Sequence, residues 1–217
     1  MAVGRTPTTP SERSSMKLYY SPGACSLSPH IALRETGLPF ELVLASTKTK
    51  KLADGSDYLA INPKGQVPML ALDDGTQITE GPAIVQYIAD QAPASGLAPA
   101  AGTIERYKLM EWLNFITSEL HKGFSPLFAP DTPDDYKPIA RNRLLARLAY
   151  VDEQLADRSY LLGEQYSVAD IYLFVVSGWG QYVGVDISGL PRLMAFRARI
   201  AARPAVIAAM KAEGLIK

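Results

Sequence analysis

The pattern of apolar and polar residues changes character once along this chain. Before residue 92 apolar residues come in short runs cut by glycine, proline and aspartate; after 102 they recur every three or four positions. The first regime predicts short strands and helices. M-K-L-Y-Y (16–20) reads as a strand closed by Ser21-Pro22-Gly23. A helix carrying Ile31, Ala32 and Leu33 follows, with Ser26 as its candidate cap and its end near Gly37-Leu38-Pro39. F-E-L-V-L (40–44) reads as a second strand, so strand, helix and strand form a βαβ unit with a parallel pair. V-P-M-L-A-L (67–72) is a third, with Pro68 at its mouth, where a missing N–H does no harm. Asp73-Asp74-Gly75 turns the chain into a partner strand at 76–79. Glu80-Gly81-Pro82 then opens a helix with Ile84, Val85 and Ile88 on one face.

The run A-P-A-S-G-L-A-P-A-A-G (92–102) has no periodicity and reads as an interdomain linker. Beyond it the pattern is helical. At 103–122, Trp112, Phe115, Ile116 and Leu120 form an apolar stripe, with Asn114, Ser118 and His121 in a polar row along one edge. A helix at 139–155 keeps Leu144, Leu148, Val151 and Leu155 in register. Ser167-Val168-Ala169-Asp170 is a capping box with Tyr166 and Ile171 as its staple. The helix it starts, I-Y-L-F-V-V, is apolar all round and so belongs at the buried centre. Two amphipathic helices at 190–200 and 206–211 close the chain. The reading is therefore an α/β domain at 16–91, a linker at 92–102 and an all-helical domain at 103–217. Residues 1–15 carry neither periodicity nor an apolar segment and read as a disordered extension or an appended leader.

Charge and cysteine content narrow the function classes. Lysine plus arginine and aspartate plus glutamate number 22 each, so no basic excess points to nucleic acid. One cysteine in 217 residues forms no internal disulfide, which suits a reducing compartment, the cytoplasm. No apolar run reaches the roughly 18 residues of a membrane helix. One cysteine and two histidines, with His121 far along the chain from Cys25 and His30, show no metal-ligand spacing.

Four places carry candidate chemistry. Cys25 sits where a strand hands over to a helix N-terminus, where free amides and the helix dipole favour a thiolate; the alternative is a small buried hydrophobe. The lysine-rich stretch 46–52 is a solvated loop, or it lends a lysine to an anionic ligand. Glu80 complements the dipole of the helix it precedes, or holds a ligand ammonium while nearby amides hold its carboxylate. His121 is either a surface histidine or a group for proton work.

Taken in order and spacing, K-L-Y-Y-S-P-G-A-C-S, N-P-K-G-Q-V-P, T-E-G, E-W-L-N-F-I-T-S-E-L-H-K-G-F and S-V-A-D-I-Y-L-F resemble the glutathione transferases, most closely the bacterial beta class, over essentially all of 16–217. The resemblance implies a thioredoxin-like N-terminal domain with a mixed four-stranded sheet, an all-helical C-terminal domain, and a homodimer. It implies that Cys25 lies beside the glutathione sulfur and can form a mixed disulfide with it, and that His121 takes part in catalysis. Val67 would pair with the cysteinyl part of the tripeptide ahead of a cis-proline at Pro68. Glu80 and Gly81 would hold the γ-glutamyl end, and Lys50 the glycine carboxylate. Asn114, Ser118 and His121 would complete the pocket, some across the dimer interface. The implied activity is conjugation of glutathione, a co-substrate rather than a tightly bound cofactor, to small hydrophobic electrophiles in detoxification. Phe124, Phe128 and Trp179 stand among the residues that choose the electrophile. The chain departs from the wider family at Gly81, where serine is usual. Two rivals remain: disulfide exchange through a mixed disulfide at Cys25, since Cys25-Ser26-Leu27-Ser28 offers no resolving thiol, and a carrier without turnover.

Overall fold

The computed structural model describes residues 16–217; the expected extension at 1–15 lies outside them. Four strands, β1 (Met16–Tyr20), β2 (Phe40–Leu44), β3 (Met69–Ala71) and β4 (Gln77–Thr79), form one sheet in the order β2-β1-β3-β4. β1 and β2 run parallel, pairing Leu18 with Leu42, and helix α1 (Leu27–Thr36) makes the crossover. β3 pairs antiparallel to β1 and to β4, with Leu70 opposite Leu18 and Ile78. The third strand is shorter than the apolar run 67–72: the Val67–Pro68 bond is cis, and the ladder runs from Met69 to Ala71. Ser26 stands at the N-cap of α1 without capping it. Its hydroxyl instead accepts the Ser21 N–H (3.1 Å) and donates to the Ser21 carbonyl (3.2 Å), closing the loop that carries Cys25.

Helix α2 (Gly81–Gln91) packs on α1, and a 3-10 turn at Pro93–Ser95 follows it. Arg106 ties the segment between α2 and the next helix down: it donates to both Asp90 oxygens (2.8 and 2.7 Å), to Gln86 Oε1 and to the Pro99 carbonyl. The long helix after Thr103 differs from the expected single α-helix. It runs as α3 (Ile104–Phe115), a π-helical stretch Ile116–His121, and α4 (Lys122–Phe128), which carries Pro126 inside it. Ile116, Leu120 and Phe124 are fully buried, so the apolar stripe persists while the turn widens. π-Helical turns of this kind concentrate at functional sites.

α5 (Tyr136–Gln154), α6 (Val168–Ser177), α7 (Gly180–Val183), α8 (Pro191–Ala201) and α9 (Pro204–Ala212) complete the chain. Every residue of α6 is buried, as its apolar run I-Y-L-F-V-V predicts, and Asp170 and Ser177 are buried with it; the helix touches helices of both halves. The capping box is in place, with one difference. The Ser167 N–H donates to Asp170 Oδ2 (2.8 Å), and the Ser167 hydroxyl donates to the same oxygen (2.8 Å). Asp170 Oδ1 takes the Leu161 N–H as well (2.8 Å), tying the preceding loop to the core helix.

The two halves are joined by polar contacts as well as by packing. Arg203 grips both oxygens of Glu35 (2.6 and 3.0 Å) while lying 3.7 Å over the Tyr166 ring. Glu213, buried behind α9, accepts the Gly23 N–H (2.9 Å) and His30 Nδ1 (2.8 Å). No helix among the described residues is long and apolar enough to cross a membrane.

Candidate active site

Cys25 occupies the loop between β1 and α1, two residues past Gly23. That loop is held from the helical half at Gly23, whose carbonyl accepts Trp179 Nε1–H (3.0 Å) and whose N–H goes to Glu213. Gly23 has φ +71, a conformation that suits glycine, and Leu215 already lies 3.4 Å from where a Cβ would be.

The thiol does not behave as its position beside a helix start suggests. It is packed against the core and donates to the Val67 carbonyl (3.2 Å), and burial pushes it up to about 12. The amides of Cys25 and Ser26 pull the other way, as a helix start should, and the Glu80 charge adds to the rise. Desolvation wins because it acts on the whole charge of the thiolate, whereas two amides return only part of its hydration. In the unliganded chain Cys25 is therefore a protonated thiol at neutral pH, which corrects the expectation of a lowered value.

Lys50 and Glu80 share an unusual backbone feature. They are the two non-glycine residues at positive φ among the described residues, at 57° and 70°. Such conformations cost on the order of 1–3 kcal/mol each and gather at functional sites. Glu80 is the N-cap of α2, and its carbonyl accepts the Ala83 and Ile84 N–H groups (3.0 Å each). Its carboxylate holds Lys64 Nζ (2.7 Å), which also reaches Thr79 Oγ1 (2.9 Å). Both partners are more than half exposed, so this pair is weak and open to competition from another ammonium. Lys50 Nζ donates to the Gly65 carbonyl (2.7 Å). A Cβ on Gly65 would sit 2.7 Å from Leu59 Cδ2 and 3.2 Å from Lys50 Cδ, so glycine is what lets the lysine stem pass. Gly81 has ordinary φ, and a Cβ there would make only a 3.9 Å contact with Pro68.

His121 ends the π-helical stretch, and the Tyr172 hydroxyl reaches its Nδ1 across 2.6 Å. Its ring meets Trp179 edge to face at 4.9 Å. Burial, then the Lys122 charge, push its pKa down to about 4, with Glu80 opposing them. His121 is thus neutral near pH 7. Burial raises the Tyr172 hydroxyl well above its ordinary value, and the Glu80 charge, which also acts on Cys25 and His121, adds to the rise, so these four groups share one electrostatic environment. Beside them Phe124, Phe128 and Trp179 form a mutual aromatic cluster with centroids 5.7–6.3 Å apart. Phe128 is half exposed, giving that cluster an open apolar face.

Cys25, Val67, Glu80, Gly81 and His121 therefore converge, and Lys50 reaches the backbone two residues before Val67. Asn114 and Ser118 do not join them within one chain. Both are exposed, Asn114 Nδ2 donating to the Met110 carbonyl (2.9 Å) and Ser118 Oγ to the Asn114 carbonyl (3.0 Å). Three residues of the site escape the sequence reading as site residues: Lys64, Tyr172 and Glu213. Tyr172 lies in an all-apolar run and reads as core, and Glu213 lies 190 positions from Gly23. Among the described residues no group of three or more histidine, cysteine, aspartate or glutamate side chains gathers as for a metal ion.

Comparison with known proteins gives the family of the chain. Residues 14–90 match the glutathione S-transferase N-terminal domain family, and residues 115–204 the corresponding C-terminal domain family. Glutathione S-transferase GstA of Escherichia coli O157:H7 is 52% identical over 200 residues, spanning 92% of this chain and all of that protein. A sphingomonad glutathione S-transferase solved with glutathione superposes with a TM-score of 0.89 at 55% identity, covering 92% of this chain and all of the other. The beta class enzyme of Sphingomonas chungbukensis gives the same TM-score at 52% identity, again over 92% and 100% of the two chains. By sequence and by fold, this chain belongs to the glutathione S-transferase family, beside its bacterial beta class.

Proposed function

We propose that this chain joins the thiol sulfur of reduced glutathione to small hydrophobic electrophiles, as in detoxification. The observation that carries the reading is the pair of strained residues of opposite charge, Lys50 and Glu80, flanking the Val67 segment against which the Cys25 thiol rests. Glutathione has a carboxylate at one end, an ammonium and carboxylate at the other, and a thiol between them. Lys50 suits the glycine carboxylate. Glu80 suits the ammonium, displacing Lys64, while the Gly81 N–H at the start of α2 receives the γ-glutamyl carboxylate; Pro82 has no N–H, and those of Ala83 and Ile84 are taken by the Glu80 carbonyl. The Val67 backbone pairs with the central residue and brings the ligand sulfur beside Cys25. His121, neutral, offers a hydrogen bond rather than a charge to the developing thiolate. The glutathione thiol releases its proton to solvent, its thiolate sulfur forms a bond to the electrophilic carbon, and the leaving group departs with its electron pair. The exposed edge of Phe128, with Phe124 and Trp179, provides the apolar surface for the electrophile.

The relative solved with glutathione supports this reading, and the position of Cys25 favours a second activity on the same ligand, disulfide exchange through a mixed disulfide. We infer a homodimer from exposed Ile104, Tyr107 and Met110 on α3, the face that also leaves Asn114 and Ser118 uncovered. The two-domain division at 16–91 and 103–217 and a cytoplasmic setting belong to the same proposal.

Turnover of an aryl halide with glutathione, and of a glutathione-linked disulfide, is the test. Conjugation is expected. Turnover of neither substrate, despite retention on immobilised glutathione, would make the chain a carrier. Within this reading Glu80→Gln should raise KM for glutathione about tenfold, the weight of one hydrogen bond to a charged group, with little change in kcat. Gly81→Ser should lower the same KM by about threefold, since a hydroxyl fits there and supplies one further neutral hydrogen bond; Gly81→Ala is the control without effect. An unaltered KM in Glu80→Gln removes Glu80 from the site.

A further inference from the structure

The chain has two histidines, and their surroundings fix them in opposite tautomers. At His30, Arg34 Nε donates to Nε2 (2.9 Å), so the ring proton lies on Nδ1 and points to Glu213 Oε1 (2.8 Å). At His121 the contact is reversed. Tyr172 is 2% exposed, and its hydroxyl meets His121 Nδ1 at 2.6 Å. The phenol faces two acceptors, His121 Nδ1 and the Thr117 hydroxyl oxygen; an imidazole nitrogen at 2.6 Å is the stronger of the two, and a buried hydroxyl that gives up its proton nowhere is costly, so the phenol donates to Nδ1. The neighbouring Thr117 hydroxyl commits its own proton to the Leu113 carbonyl (2.8 Å).

We propose that Tyr172 is a positioning residue for the reaction: its hydroxyl, bonded to His121 Nδ1, holds the imidazole in the form that carries hydrogen on Nε2, so that His121 presents an N–H donor to the sulfur bound at the site. Three further observations fit this role. The π-helical turn ends on His121, and the Trp179 ring packs against it, so the imidazole is held in place as well as in tautomer. The same Trp179 binds the carbonyl of Gly23 in the Cys25 loop, which links the orientation of His121 to that loop. The ring is neutral at working pH, so its only proton is the one whose position Tyr172 decides. A neutral histidine with its proton on Nδ1 would turn a lone pair toward a thiolate and repel it.

The role in catalysis rests on the glutathione reading above; the tautomer does not, and the test separates them. A long-range proton–nitrogen spectrum of the uniformly nitrogen-15-labelled full chain at pH 7 should show one histidine of each tautomer. His121→Gln identifies the His121 signals by removing them. In Tyr172→Phe the His121 nitrogens should shift toward the averaged values of a mixed population, while those of His30 stay. With an aryl halide, Tyr172→Phe should lower kcat about tenfold and leave KM for glutathione within about twofold, as expected of a misoriented donor rather than a lost binding contact. A wild-type His121 with its hydrogen on Nδ1 overturns the proposal, and this measurement does not depend on the variant folding. A shifted tautomer with unchanged kcat also overturns it. Absence of turnover in the wild type, with the spectrum as expected, refutes the function and leaves the Tyr172 lock standing.

Discussion

Asp170→Ala should lower the unfolding free energy by about 3–6 kcal/mol, enough to consume much of the stability of an ordinary domain. The carboxylate is fully buried and accepts three protons, from the Leu161 N–H, the Ser167 N–H and the Ser167 hydroxyl, all at 2.8 Å. Removing it leaves three buried donors unmatched and breaks half of the capping box that starts the core helix α6, and each orphaned donor costs about 1–3 kcal/mol. Asp170→Asn should recover part of the loss, because an amide oxygen still accepts while its NH2 faces a donor. Ser167→Ala, which removes one proton from the network, should cost about 1 kcal/mol. The charge has a cost of its own, since burial pushes the Asp170 carboxyl up to about 6 from an unfolded value of 3.8. Between those pH values the folded chain binds a proton that the unfolded chain has released. The contribution of Asp170 therefore falls by about 3 kcal/mol as pH rises through the window, and is constant above it. Urea unfolding of wild type and Asp170→Asn at pH 4.5, 5.5 and 7 measures both effects; the difference in unfolding free energy between the two proteins should change across the window. Loss of less than about 1 kcal/mol in Asp170→Ala would mean that water reaches those donors.

Which features were legible in the sequence follows from how local their causes are. The βαβ start, the hairpin at Asp74-Gly75 and the buried helix I-Y-L-F-V-V are set by runs of neighbouring residues, and each lies where the pattern puts it. The capping box was readable for the same reason. The π-helical stretch was not, because Ile116 and Leu120 keep the same apolar stripe whether the turn is α or π. Ser26 looked like a cap because residue type and position were right; the Ser21 backbone took its hydroxyl instead. At the site, Cys25, Glu80 and His121 could be named from their motifs, but their electrostatics could not. Lys64 on Glu80, Tyr172 on His121 and the Val67 carbonyl on Cys25 are contacts between residues 16, 51 and 42 positions apart. At Cys25 the amides of the helix start do favour the thiolate, and tertiary burial, which no local pattern carries, reverses the sign.

That reversal gives Cys25 a large and simple signature. With a thiol pKa of about 12, the thiolate fraction of Cys25 at pH 7 is about 10⁻⁵, against a few per cent for an exposed cysteine. Iodoacetamide should therefore alkylate the glutathione-free chain on the order of 10³ times more slowly than a cysteine-containing peptide, and the rate should rise about tenfold per pH unit from 7 to 10 without a plateau. Cys25 is the only cysteine, so mass spectrometry reads its modification directly. A fast reaction with a plateau near neutral pH would mean that the amides of the helix start outweigh burial. The same reasoning divides the two activities. Conjugation uses the sulfur of glutathione, so Cys25→Ala should keep it within about threefold, the effect of losing one neighbouring hydrogen-bonding group. Disulfide exchange needs a bond between Cys25 and the glutathione sulfur, formed as the other thiol leaves and broken when a second glutathione thiolate attacks. It should fall to the uncatalysed rate in the variant. For that reaction the ligand must first take the Val67 carbonyl from the Cys25 S–H, which frees the thiol at the moment a sulfur partner arrives. Alkylation and exchange measured on one preparation decide the matter: equal loss of conjugation and exchange in Cys25→Ala would place this thiol in the conjugation step itself.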